Sequence, residues 1–252
     1  METLRISGCK LSDAGLERLP TFKTLRKLQI DGTDITDEGL KYVNRQRTLE
    51  TLWLARDNIT DRGLQNLTGL NKLRELSLSF TKVSDAGLKP TRGVHNLRLL
   101  NLDGTEVTDA GLKEIAHLQL LEQVSLTSTQ IRGPGLAHFK DFKRLRYLGL
   151  NGCRISENEL RHLSNLTALR RLDLNDTGLT DKGLAHVGRL RWLHLLDISI
   201  NIITDDGLRY LNGMSNLKVL AVYDNKVTEE GEGAIRRAIP GLNLAPLGSR
   251  ME

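Results

Sequence analysis

Aromatic residues are scarce in this 252-residue chain, with four Phe, four Tyr and two Trp, so the core cannot be built on large rings. Two cysteines, Cys9 and Cys153, are too few for a disulfide framework. No apolar stretch reaches the roughly 18 residues that a membrane-crossing helix needs, and no signal-peptide pattern follows Met1. The five prolines, Pro20, Pro90, Pro134, Pro240 and Pro246, fall outside the strands expected below, and no Gly/Ser-rich or Pro-rich linker divides the chain. One-sided charge is also missing. Lys and Arg number 36 against 31 Asp and Glu, and the resulting +5 only mildly favours acidic partners. If the chain is complete at Met1, these absences point to a cytoplasmic protein without a membrane segment.

What the chain does have is a period. Leu25, Leu49, Leu73, Leu97, Leu121, Leu145, Leu169, Leu193 and Leu217 stand 24 residues apart with no insertion or deletion between them. Such a period predicts a single solenoid domain over residues 1–252. Within the unit 25–48, Leu28 and Ile30 alternate with Gln29 and Asp31, the pattern of a short strand with one buried face. Thr33 and Ile35 form a turn. Thr36 follows as a helix N-cap and Asp37 as a favourable first-turn acid. Leu40 and Val43 then turn one helical face inward. The cap column runs from Ser12 to Thr228 and breaks at Arg132; the acid column breaks at Gly133, and the glycine column, Gly15 to Gly231, at Glu159. The unit containing Arg132 and Gly133 should therefore have the least regular outer segment.

Successive strands should pair in parallel, giving an α/β solenoid of ten 24-residue repeats. A curved horseshoe is expected, with the sheet on the concave face and short helices on the convex face. Residues 229–252 read as a C-terminal capping segment, whereas the first repeat starts at its strand with no cap. Cys9 and Cys153 share one repeat position six repeats apart, which puts them roughly 29 Å from each other at about 4.8 Å per strand. A disulfide tolerates only about 7 Å between Cα atoms, so both should be half-buried turn residues.

The repeat L-x-x-L-x-L-x-x-T-x-I-T-D-x-G-L-x-x-V, seen at Leu25, Leu28, Ile30, Thr33, Ile35, Thr36, Asp37, Gly39, Leu40 and Val43, resembles the leucine-rich repeat superfamily. It looks most like the bacterial T-D-x-G-L type, which is related to the ribonuclease-inhibitor-like class and to the cysteine-containing repeats of F-box receptors. The chain differs from the latter in having mainly threonine at the turn position. The resemblance covers residues 1 to about 244. It implies a parallel sheet that binds protein partners on its concave face, and it brings no catalytic residues with it.

Departures from the repeat mark where a ligand would bind. Trp53 lies mid-strand where nothing apolar is required, and Phe80 lies near a strand end one repeat later. A second group comprises Leu195, Ile200, Val219 and Tyr223, led into by Tyr147, Arg171, Asp173 and Asp197. Aromatics and arginine among small polar residues are the composition of protein-recognition hot spots. Asp173 and Asp197 are carboxylates on adjacent strands and would raise each other's pKa. No nucleophile–base–orienter set accompanies them, so no enzyme is expected. His138, His162 and His186 are in register, but successive helices spread them too far for one tetrahedral ion, so neither a metal site nor a cofactor is expected. The row Arg26, Glu50, Arg74, Arg98, Glu122, Arg146, Arg170, His194, Lys218 is interrupted by acids and reads as a solvated edge, which makes nucleic acid an unfavoured partner. The expected function is a monomeric protein–protein interaction module. The alternative is an assembly segment of a larger repeat protein that associates through its exposed N-terminal edge.

Overall fold

The structure, a computed structural model, describes residues 1–245. The chain forms two compact units, Met1–Ser125 and Leu126–Glu252. In the first, three-residue strands β1 (Thr3–Arg5), β2 (Lys27–Gln29), β3 (Thr51–Trp53), β4 (Glu75–Ser77), β5 (Leu99–Asn101) and β6 (Gln123–Ser125) follow in chain order. They pair in parallel, with Leu28 facing Leu52, Leu52 facing Leu76 and Leu76 facing Leu100. The 24-residue period is thus the sheet register itself. In the second unit β7 (Tyr147–Gly149), β8 (Arg171–Asp173), β9 (Leu195–Asp197), β10 (Val219–Ala221) and the two-residue β11 (Asn243–Leu244) do the same.

Between strands the chain returns through short helical segments. Some are α, as at Asp109–Ile115 and Asp181–Val187, and others are tighter 3-10 turns, as at Asp13–Thr21 and Asp85–Gly93. The last two contain Pro20 and Pro90. A proline that removes an N–H and crowds the preceding turn is incompatible with a continued α-helix there. After Thr228 a ten-residue helix, Glu229–Ala238, leads to β11. The reading of 229–252 as a cap stands as a proposal, and its residues 246–252 lie outside the described part of the chain.

Each unit has a core of stacked aliphatic columns. Leu25, Leu49, Leu73, Leu97 and Leu121 in the first, and Leu145, Leu169 and Leu193 in the second, have no exposed surface. The rings of Phe139 and Phe142 stack 4.6 Å apart within the second. At the buried turn position, Thr81, Thr105 and Thr129 return their hydroxyls to the carbonyl three residues earlier at 2.6 Å. A polar group placed there needs such a partner. Cys153 fills the same position fully buried, but Cys9 is exposed, so the two cysteines are not equally half-buried as expected.

The Thr-Asp pair of the repeat does more than cap its own helix. Asp37 accepts the Thr60 N–H at 2.8 Å and the Thr60 hydroxyl at 2.7 Å, one repeat on. Thr60 in turn accepts the Arg62 N–H as a helix N-cap. Asp13–Thr36, Asp61–Ser84 and Asp85–Thr108 repeat the arrangement, as do Asp181–Thr204 and Asp205–Thr228 in the second unit. The acid therefore belongs to the following repeat more than to its own helix dipole. It also explains the glycine column. A Cβ on Gly63 would come within 2.3 Å of Asp37 Oδ1. Gly133 has no carboxylate to offer, and the next repeat correspondingly carries Glu159 in place of glycine. Gly133 itself takes φ +119° ahead of a 3-10 turn at Pro134–Phe139, but 3-10 segments at Asp13–Thr21, Asp85–Gly93 and Glu157–Asn165 mean that the type of turn does not set this repeat apart.

Candidate interaction surfaces

Strand alternation sends Leu28, Leu52 and Leu76 into the core and leaves positions such as Lys27, Trp53 and Leu99 on the outer face. The chain then continues for three residues past each strand before it turns. There Arg56 N donates to Ser79 O at 2.9 Å, Phe80 N to Asp103 O at 2.7 Å and Ile200 N to Tyr223 O at 2.9 Å. The turning residue adopts a left-handed backbone in every repeat: Gly8, Gly32, Arg56, Phe80 and Gly104 in the first unit, then Ser128, Gly152, Asp176, Ile200 and Asp224 in the second. Glycine, Asp and Ser tolerate that region. A β-branched or bulky aromatic residue does so only at a strain of about 1–3 kcal/mol. Phe80 (φ +58°) and Ile200 (φ +54°) accept the strain and gain little burial, at 55% and 43% exposed.

In the first unit Trp53 and Phe80 flank one open depression of about 460 Å³, together with Asp31, Ala55, Arg56, Ser77, Ser79, Leu99 and Asn101. The Arg56 guanidinium lies 5.4 Å from the centre of the Phe80 ring. Gly104 provides room for that ring, since a Cβ there would come 2.5 Å from Phe80 Cδ1. Trp53 is half-buried, and its Nε1 is covered without a hydrogen-bond acceptor among the described residues. Arg56 and Leu99 line the depression beside Trp53 and Phe80, although neither is among the residues expected from the sequence. Arg56 stands 24 residues before Phe80 in the same left-handed column, and that was the available signal.

The second group divides in two. Tyr147, Arg171 and Asp173 form a closed network: Arg171 Nε and Nη2 each donate to Asp173 at 2.9 Å, and the Tyr147 hydroxyl donates to it at 3.2 Å. The Arg171 guanidinium sits 5.2 Å over the Tyr147 ring, and its hydrogen bond to Asp173, only partly offset by burial, holds it above its ordinary pKa. Asp197 accepts the Ser199 N–H at 2.9 Å. The two carboxylates thus have separate partners, Arg171 and Tyr147 for Asp173 and the Ser199 N–H for Asp197. Leu195 and Val219 are half-buried and face each other across β9 and β10. Tyr223 borders a depression of about 580 Å³ with Asn225, Arg236 and Leu244. Ile200 projects from its turn with Ile202, 48% exposed, nearby in sequence. Among the described residues no three His, Cys, Asp or Glu side chains are grouped to hold a metal ion; His162 instead pairs with Glu159 at 3.1 Å. No helix among them is long and apolar enough to cross a membrane.

Parallel strands in 24-residue register, a stacked leucine core and a free sheet face define a repeat scaffold. The family described as leucine rich repeat matches at residues 1–19, 23–43, 69–90, 95–116 and 165–186. An internalin (inlF) from Listeria monocytogenes has a similar fold, with a TM-score of 0.66 at 17% identity over 99% of this chain and 88% of that one. An internalin C2 (inlC2) from the same organism gives a TM-score of 0.60 at 24% identity over 82% of this chain and 81% of that one. A search of curated proteins finds no significant match. Five segments of the chain thus match the leucine-rich repeat family, and its fold is that of leucine-rich repeat proteins.

Proposed function

We propose that the protein is a non-catalytic recognition module that binds a protein partner on the outer face of its sheet strands. The observation that carries this reading is the placing of Phe80 and Ile200 at left-handed turns that glycine adopts without strain, with about half of each residue's surface left exposed. Strain without a folding benefit is the mark of a residue kept for a contact. Trp53, Arg56 and Leu99 surround the first of them; Leu195 lies on β9 and Val219 on β10, and Tyr223, two residues past β10, accepts the N–H of the second. Arg171, Asp173 and Tyr147 serve as a pre-ordered polar rim, because their geometry is already set by one another.

Immobilised wild-type protein should retain a protein from a lysate of its native host, and the Phe80→Gly/Ile200→Gly variant should lose it without a fall in thermal midpoint. Leu195→Ala with Tyr223→Ala should weaken the same complex by more than about 2 kcal/mol. Equal retention by all three proteins would overturn the reading. A second reading, assembly through the first strand, has one observation in its favour: Leu4 in β1 is half-exposed, whereas its partner Leu28 is fully buried. Mass rising with concentration in light scattering, and blocked by Leu4→Lys, would support assembly over the recognition module.

A further inference from the structure

One edge of the strands carries the residue that follows the first leucine of each repeat. In Met1–Ser125 this row is Arg26, Glu50, Arg74, Arg98 and Glu122, and its acids neutralise it. Glu50 lies 2.5 Å from Arg26 and 3.8 Å from Arg74, and Glu122 lies 3.4 Å from Arg98. In Leu126–Glu252 the row reads Arg146, Arg170, His194, Lys218, with no acid in it. Backbone bonds hold these rungs in register: Arg170 N to Arg146 O and His194 N to Arg170 O at 2.8 Å, then Lys218 N to His194 O at 2.9 Å. Side chains of adjacent rungs therefore start about 4.8 Å apart.

Arg146, Arg170 and Lys218 are exposed. Among the described residues neither Arg170 nor Lys218 has an ion-pair partner. Arg170 is braced on neutral groups instead, its Nη1 donating to the Thr167 and Leu169 carbonyls at 3.1 Å each, which fixes the guanidinium without cancelling its charge. His194 is anchored by Nδ1 on the Trp192 carbonyl at 2.9 Å. The acids of the neighbouring face, Asp173 and Asp197, already have Arg171 and the Ser199 N–H.

We propose that Arg146, Arg170, His194 and Lys218 form a docking track for a linear polyphosphate laid across the strands. A straight row of cations at strand spacing complements a chain that bears a charge on every phosphorus, because each rung can meet a phosphate without distortion of either partner. A nucleic acid strand would also draw on an open aromatic face for its bases. Of the rings adjoining the row, Tyr147 is covered by the Arg171 guanidinium and Trp192 is half-buried. The chemistry therefore favours bare phosphates.

The test titrates long-chain inorganic polyphosphate into the intact protein at several salt concentrations, with single-stranded DNA of matched phosphate number alongside. Wild type should bind polyphosphate more tightly than the DNA, with an affinity that falls steeply with salt. Arg170→Gln/Lys218→Gln should weaken binding about ten-fold or more and flatten the logarithmic salt slope by about two, one for each cation removed. Arg26→Gln/Arg74→Gln removes the same net charge from the neutralised row and should change neither quantity. All four side chains are exposed, and matching thermal melts will show that each variant folds. Absence of polyphosphate binding, equal losses in the two double variants, or DNA binding as tight as polyphosphate would each overturn the proposal.

Discussion

Asp57 occupies a buried turn position that other repeats give to a hydrogen-bond donor. In the second unit Asn201 holds that position, and its Nδ2 donates to the carbonyls of Leu174, Ile198 and Ser199 at 2.9–3.0 Å. Asp57 uses Oδ1 to accept from the Thr33 N–H and hydroxyl at 2.6 and 2.9 Å, but its Oδ2 meets no donor. Burial pushes its pKa up from 3.8 to about 6, against the pull of the Thr33 bonds. Between these values the folded chain holds a proton that the unfolded chain has lost, so stability falls as pH rises through that window. The whole effect has an upper bound of about 3 kcal/mol. Asp57→Asn should therefore melt higher than wild type at pH 7.5, and the gain should shrink as pH falls from 6 towards 4. Thermal unfolding at pH 7.5 and 4.5 checks this; an equal gain at both would mean that packing rather than ionisation is responsible.

At the scale of the element, the Asp–Thr–Gly linkage joins neighbouring repeats into a cooperative stack. Strands, register and leucine columns were legible in the sequence because each is a direct consequence of period 24 and of two-residue alternation. Which column touches which was not. Asp37 reads locally as a first-turn acid, and only the stacking of one repeat on the next brings it to Thr60 and Gly63. Arg56 was missed for a similar reason: alone it is an ordinary surface arginine, and its place beside Phe80 appears only when the left-handed column is drawn. The linkage predicts non-additivity. Asp37→Ala should cost about 1–2 kcal/mol through the lost bonds to Thr60. Gly63→Ala should cost about 1–3 kcal/mol, because its new methyl displaces the carboxylate. The double variant should lose much less than the sum of the two, since the carboxylate clash disappears, only the flexible Leu40 Cδ1 stays close to the new methyl at 3.0 Å, and alanine favours the helix. Urea unfolding of the four proteins measures the cycle. A simple sum of the two losses would mean that the glycine is needed for another reason, and the Gly133/Glu159 exchange would then lose its explanation.

For the molecule as a whole, a repeat scaffold draws its stability from units and nearest-neighbour interfaces that contribute as a sum. A strained residue in one repeat is thus tolerated locally, and the remaining repeats hold it in place. Phe80 and Ile200 lie in different units and five repeats apart. Each adopts the backbone that glycine adopts freely, and each exposes much of its side chain, so little packing is lost on removal. Phe80→Gly and Ile200→Gly should each stabilise the fold by about 1 kcal/mol, offset in part by the greater backbone freedom of glycine in the unfolded chain. Phe80→Gly should gain less, because Arg56 loses the ring it stacks on. With no shared neighbour, the two effects should add to within about 0.5 kcal/mol. Chemical denaturation of the singles and the double decides this, read beside the partner-binding assay. A double variant that is more stable but does not bind would identify both residues as held against the preference of the fold for the sake of a contact. One that is less stable would return Phe80 and Ile200 to the scaffold and leave the exposed face without its main anchors.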